Sequence, residues 1–321
     1  MGEFELIARY FAAAPCARPG EGIALGIGDD CALLAPAAGE QLAVSTDTLV
    51  SGVHFPAQPD PFLLGQRSLA VAASDLAAMG AQPVGFTLAL TLPSFDATWL
   101  ERYAAGLGQM AQACGLRLIG GDTTRGPLSL TLTVFGSVPA GQALTRRGAR
   151  PGDVFCVGGN LGDAAGALPL VLAERSAPAE LAAPLLAHYW APPPQLALGL
   201  ALRGRASAAL DISDGLLADA GHIAEASGVA IHIERSCLPL SDALKAFAGE
   251  TAAFEAALAG GDDYVLAFSL AAEHLAGLRA AGHSIHVVGR VLAGQGVTLL
   301  GEGGRDITPS QRGYQHFREP L

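Results

Sequence analysis

The sequence predicts an α/β (α+β) protein of two domains, and three observations carry that prediction. Segments of strand and helix character alternate along the whole chain, the pattern that packed layers of sheet and helix produce. The chain has 321 residues, and at roughly 150 residues per domain that length suits two. Half of the residues are hydrophobic and 15% are charged, which is core-forming composition and far from that of a disordered chain.

Taken in order, Phe4, Leu6, Ile7, Tyr10 and Phe11 share one face of an opening helix. A strand follows over 41–47. Asp60-Pro61 supplies a cap and a first-turn proline, so a helix should start there and run to Met79-Gly80. Residues 84–92 alternate as a strand, Asp96 caps a helix ending near Gly115, and 116–119 and 128–138 are further strands. The stretch 139–153 (PAGQALTRRGARPGD) is polar and rich in glycine and arginine. It reads as a crossover, dividing the chain into domains 1–138 and 139–321. Beyond it come a strand at 154–157 and helices near 162–175, 180–190 and 194–204, the last two separated by Pro192-Pro193-Pro194. Then follow strand 208–212, helix 214–227, strand 229–233, helices to about Leu258, strand 264–268, helix 271–281 and strand 285–291.

Charge and composition exclude several classes of function. Nineteen basic residues against thirty acidic ones give a net charge of −11, which argues against nucleic acid or an anionic membrane as partner. Lys245 is the one lysine, on what reads as a helix surface. A Walker-type phosphate loop, a Schiff-base enzyme and a Ser-Lys hydrolase each need a lysine in a particular loop. Five scattered cysteines without a CxxC fit neither a disulfide framework nor a cysteine-rich zinc site. The acidic start does not resemble a signal peptide, and no apolar run approaches the roughly 18 residues of a membrane span. A soluble, cytoplasmic protein is expected.

Nine of the sixteen aspartates fall in short clusters with glycine, serine or threonine. These are Gly28-Asp29-Asp30, Ser45-Thr46-Asp47-Thr48, Ser74-Asp75, Gly120-Gly121-Asp122-Thr123-Thr124, Asp211-Ile212-Ser213-Asp214-Gly215 and Gly260-Gly261-Asp262-Asp263. Any one alone reads as readily as a turn or a helix cap. Six in a chain of such low charge point instead to a site. Several fall where an apolar strand ends, a usual place for sites in α/β folds. Short carboxylates hold hard oxygen ligands close to rigid backbone, and magnesium shares such carboxylates with substrate phosphates. From Asp211 the twelfth loop position is His222, so an EF-hand fails. Gly26-Ile27-Gly28 lacks the third glycine of a dinucleotide fingerprint and a strong preceding strand. His54 reads as a substrate contact or as a structural histidine. Thr145-Arg146-Arg147 reads as a polyphosphate clamp or a solvated linker. Trp99 and Tyr103 read as core rather than as a base-stacking platform, and Cys31 and Cys114 as small core residues. The residues alone therefore reach a multi-magnesium site for a phosphate-rich ligand.

In this order the clusters resemble the thiamine-monophosphate kinases, within the superfamily of aminoimidazole ribonucleotide synthetase. The carriers are GIGDDCA from Gly26, STDTLV from Ser45, His54-Phe55, SDLAAMGA from Ser74, LIGGDTTRGP from Leu118, DISDGL from Asp211 and GGDDY from Gly260, and the match runs from Phe4 to about Phe317. The resemblance implies ATP-dependent phosphorylation of thiamine monophosphate to thiamine diphosphate, the last step in making that cofactor. It implies that Asp30, Ser45, Thr46, Asp47, Asp75, Asp122, Asp211 and Asp214 hold several Mg2+ ions. Gly121, Asp122, Arg146 and Ser213 would contact ATP, and His54, Asp262 and Tyr314 the thiamine phosphate. Where the family has Gly-Gly-Glu-Asp-Tyr, Asp262 is one methylene shorter. The implied fold is an N-terminal α/β domain that pairs into a dimeric barrel, with a C-terminal α/β domain, hence a homodimer. Transfer would be direct and in-line, without a covalent enzyme intermediate. An amidine-forming synthetase, a selenophosphate synthetase and a non-catalytic magnesium-nucleotide sensor remain open. The selenophosphate enzymes carry a reactive cysteine and lysine near the N-terminus, where this chain offers only Cys16, and the related hydrogenase-maturation protein ends in a cysteine where this chain ends Arg318-Glu319-Pro320-Leu321.

Overall fold

The computed structural model describes residues 3–18, 20–310 and 312–314; the side chain of Phe4 and everything beyond Tyr314, Phe317 and the final four residues included, lie outside them. The chain forms two compact units, one comprising residues to Leu76 with Ala81–Ala143, the other Ala77–Gly80 with Leu144 onward. The crossover 140–153 carries neither helix nor strand.

The first unit opens with α1 (Glu3–Leu6), which continues as a wider, π-type turn over Ile7–Ala12 and buries Leu6, Tyr10 and Phe11. Next come β1 (Ile23–Leu25), β2 (Leu33–Leu34), β3 (Glu40–Val50), α2 (Pro61–Ala78), β4 (Gln82–Leu92), α3 (Ala97–Cys114), β5 (Arg117–Arg125) and β6 (Ser129–Pro139). Asp60 Oδ1 accepts the Phe62 amide at 2.8 Å, and Asp96 Oδ1 accepts those of Thr98 and Trp99 at 2.9 and 3.1 Å, so both helix starts lie where the aspartates put them. Gly115, at φ +69°, closes α3. Helices α2 and α3 touch backbone to backbone: a Cβ on Gly106 would lie 1.9 Å from the Phe62 carbonyl oxygen, and one on Gly65 2.3 Å from that of Tyr103. Tyr103 is fully buried and thus core, and half-buried Trp99 stacks on it at 5.2 Å.

The sheet of this unit runs β3-β6-β4-β5, with β4 and β5 parallel and the other pairs antiparallel. Alternation gives it two unlike faces. Leu88, Leu90, Leu130, Leu132 and Val134 are buried on one. The other presents Leu42 and Val44, 42% and 57% exposed, beside Thr46 and Thr48, whose hydroxyls meet those of Thr133 and Thr131 at 2.9 Å. Strand β5 does not end at Ile119 but carries Gly120-Gly121-Asp122-Thr123-Thr124 as strand. Pairing with β4, from Thr87 opposite Gly120 to Leu92 opposite Arg125, overrides the turn character of those residue types. Gly121 permits it, since a Cβ there would lie 2.0 Å from the Leu88 carbonyl oxygen.

The second unit contains β7 (Val154–Val157), α4 (Asp163–Val171), α5 (Ala179–Trp190), α6 (Leu196–Leu202), β8 (Ala206–Asp211), α7 (Leu216–Ser227), β9 (Ala230–Glu234), α8 (Asp242–Ala248), α9 (Glu250–Ala259), β10 (Leu266–Leu270), α10 (Leu275–Ala280), β11 (His286–Leu292) and β12 (Gly296–Leu300). Its sheet runs β12-β9-β11-β7-β10-β8, antiparallel except where β12 lies parallel to β9. Both faces are covered. Phe155, Val157, Leu210 and Ala267 enter one apolar cluster; Cys156, Ala209, Leu266 and Phe268 enter the other. Among the described residues no helix is long and apolar enough to cross a membrane.

Candidate active site

Within their units the six acidic clusters come together as three pairs. Gly28-Asp29-Asp30 and Gly120-Gly121-Asp122 line one cavity of about 800 Å³, with Ile7, Phe11 and Phe135 forming apolar wall. Asp29, Asp30 and Asp122 are all exposed there. Only a three-residue strand, β1, precedes Gly26, and Cys31, contrary to expectation, lines this cavity as an exposed side chain rather than a core one. The Asp29 carboxylate turns back to accept the Asp30 amide at 2.8 Å, which fixes the local loop.

The second pair joins β3 to α2: the Ser45 hydroxyl donates a short hydrogen bond to Asp75 Oδ2. Asp47 follows two residues along the same face, opposite buried Leu132. Thr46 lies on the other face. So does Asp122, which shares its row with Ala89 and Thr131. Two strands separate β3 from β5, so about 14 Å of sheet lies between Asp47 and Asp122 at ~4.8 Å per strand spacing. The sheet therefore keeps the Ser45, Asp47 and Asp75 group apart from Asp122 and the Asp30 loop. Asp47, Asp75 and Asp122 sit within strands and a helix rather than at strand ends, whereas Asp211 closes β8. His54 stands in the turn after β3. Its Nδ1 accepts the Val50 amide at 3.0 Å, so the proton of the neutral ring is on Nε2.

The third pair is in the second unit. Asp262 donates its amide to the Ser213 carbonyl at 2.8 Å, Tyr264 donates to that of Ile212 at 2.8 Å, and a Cβ on Gly261 would lie 2.4 Å from the Ser213 oxygen. Asp262 and Tyr264 adopt left-handed backbone, φ +65° and +52°, at a cost on the order of 1–2 kcal/mol each. Asp214 does not cap α7, whose N-cap is Gly215; Asp219, in the first turn of the helix, reaches back instead. Its Oδ2 accepts the amides of Asp214 and Gly215 at 3.0 and 3.1 Å. Burial pushes the Asp219 carboxyl up to about 7; the Asp214 amide opposes the rise, while the Asp214 and Asp211 carboxylates add to it. Ligand atoms of Asp214, Asp219 and His222 lie within 4.8 Å of one another, and among the described residues no other three carboxylate, thiol or imidazole groups converge so closely. Asp214 and His222 line a cavity of about 790 Å³ with Arg312 and Tyr314, and the Tyr314 amide donates to the Asp214 carbonyl at 3.0 Å. Arg146 is exposed and lines neither cavity, its carbonyl accepting the Ser227 hydroxyl at 3.1 Å.

Residues 28–138 match the AIR synthase related protein N-terminal domain, and residues 150–302 match its C-terminal domain. The thiamine-monophosphate kinase of Escherichia coli K12 is 44% identical over 99% of both chains. The chain belongs to the thiamine-monophosphate kinase family. The crystal structure of the kinase from Stenotrophomonas maltophilia K279a matches at a TM-score of 0.86 and 46% identity, covering 95% of this chain and 98% of that one. AaThiL complexed with AMPPCP and TMP matches at 0.79 and 30%, covering 88% and 89%.

Asp219 and Asp263 were not distinguished by the sequence from their neighbours Asp214 and Asp262. Only burial sets them apart, and burial is not legible from residue type. The weak signal available was spacing: Asp219 stands five residues after Asp214, within reach of a helix start.

Proposed function

We infer that this member of the family is a kinase that phosphorylates thiamine monophosphate to thiamine diphosphate with ATP. The observation that carries it is 44% identity with a thiamine-monophosphate kinase over 99% of both chains, together with AaThiL, a relative complexed with AMPPCP and TMP.

The residues suit magnesium. Asp30 and Asp122 offer exposed hard oxygens in a glycine-walled cavity, where an ion can keep waters and share its shell with phosphate. Ser45, Asp47 and Asp75, which the sheet keeps apart from that cavity, Thr46 on its other face, and Asp211 and Asp214 in the second unit are proposed as further magnesium ligands. Mg2+ bound to them would supply charge neutralisation for the polyphosphate. Gly121, Asp122, Arg146 and Ser213 are proposed to bind ATP. His54, Asp262 and Tyr314 are proposed to bind thiamine monophosphate. The substrate's phosphate oxygen attacks the γ-phosphorus in line, the bond to the β-phosphate oxygen breaks, and ADP leaves. No general base is required, because the attacking phosphate is already ionised at neutral pH.

We assign residues 1–138 as the ATP- and magnesium-binding domain and 139–321 as the C-terminal α/β domain. A homodimer is proposed from the resemblance to the family, and the exposed Leu42 and Val44 on β3 give it some apolar surface to cover. A cytoplasmic location is proposed, with neither nucleic acid nor membrane as partner, in keeping with the charge of −11.

The test is acceptor choice in an assay of ADP formation. Thiamine monophosphate should be turned over and unphosphorylated thiamine should not, because an alcohol needs a base to take its proton. Comparable rates on the two would contradict the reading, and inertness with both would favour an amidine-forming synthetase.

A further inference from the structure

We propose that Asp263 is a positioning residue: its carboxylate, through the Gly162 amide, locks the Gly260-to-Tyr264 loop in the backbone form that presents Asp262 to the substrate. The inference rests on the proposed contact between Asp262 and thiamine monophosphate.

Asp263 is fully buried, and both its carboxylate oxygens accept the Gly162 amide, at 2.9 and 3.0 Å. Its carbonyl oxygen, which can only accept, takes the Nε2 proton of His188 at 3.1 Å. Gly162 is itself packed closely on α9: at φ +84° a Cβ would lie 2.6 Å from the Ala257 nitrogen. The residue is thus fixed from side chain and backbone, between two neighbours, Asp262 and Tyr264, in left-handed backbone that neither side chain favours. The charges acting on it, those of Asp163, Asp262 and Asp219, are all acidic, and burial above all holds its carboxyl well above the ordinary range. An apolar residue would fill this space without that penalty. What a leucine cannot do is accept the Gly162 amide and hold the loop.

The test is steady-state kinetics on the full chain. Asp263→Ala should raise KM for thiamine monophosphate about ten-fold while KM for ATP stays within about two-fold. Asp263→Asn, which keeps an acceptor oxygen, should stay within about three-fold of the parent for both. In an Asp262→Ala background, Asp263→Ala should add less than about two-fold, because the two act through one contact. If Asp263→Ala fails to fold, His188→Leu removes the donor to the Asp263 carbonyl and should raise the same KM about three-fold. Asp262→Ala raising that KM while Asp263→Ala and His188→Leu leave it unchanged overturns this proposal alone. Asp262→Ala leaving it unchanged overturns the Asp262 contact and the proposal with it. Full additivity in the double variant would also overturn it.

Discussion

Asp122 and Asp219 show how two aspartates of one chain come to opposite uses. Asp122 is exposed on an edge strand and faces a cavity it shares with Asp30, so removing its charge should spare the fold and remove an oxygen donor where charge neutralisation dominates catalysis. Asp122→Asn should lower turnover by about 100-fold or more with the melting temperature little changed; a variant keeping above about a tenth of the parent rate would contradict the assignment. Asp219 is buried, and its carboxyl is held at about 7, above the roughly 3.9 of an unfolded chain. Between those values the folded state keeps a proton that the unfolded state has released, so this group's contribution falls as pH rises from about 4 and is fully lost above about 7. In metal-free protein, Asp219→Asn should therefore lose less stability than the parent over that interval, by up to about 4 kcal/mol at 1.36 kcal/mol per unit. Parallel denaturation curves for the two proteins across that range would show that the carboxyl titrates normally. That Asp30 and Asp122 stand among site-like company was readable from residue type and neighbours; the burial of Asp219 and Asp263 was not, because it depends on segments remote in sequence.

Among the elements, α3 was legible end to end because its signals are local, Asp96 at the cap and Gly115 at the close. The extension of β5 through Gly120-Gly121-Asp122 was hidden, since it depends on the register with β4. Strand β12 was missed for the same kind of reason: a five-residue run becomes a strand only because β9 lies beside it. The approach of α2 and α3 gives a paired test. Gly106→Ala forces a methyl to 1.9 Å from the Phe62 carbonyl oxygen, whereas Gly108 has nothing within 4 Å of its Cβ position. Gly106→Ala should destabilise by about 3 kcal/mol or more. Gly108→Ala should stabilise by up to about 1 kcal/mol, because glycine inside a helix carries extra unfolded-state entropy. Equal effects in chemical denaturation would contradict the close packing.

At the scale of the whole molecule, the alternation of strands and helices announced an α/β chain, while strand order and the uncovered sheet face depend on long-range pairing that no local pattern records. The order of the acidic clusters carried the family. How they pair did not follow from sequence: Ser45 with Asp75, the Asp30 loop with Asp122, and the Ser213 turn with Asp262. All three pairs are oxygen-rich, and none brings a lysine, which suits transfer by positioning and charge neutralisation rather than by a covalent intermediate. The most direct measurement is the mass of the product formed from thiamine monophosphate, ATP and magnesium. The account predicts thiamine diphosphate, one phosphoryl group heavier than the acceptor and equal in amount to the ADP released. Free phosphate in place of a heavier thiamine ester, or ATP left intact while enzyme and both substrates are present, would contradict it.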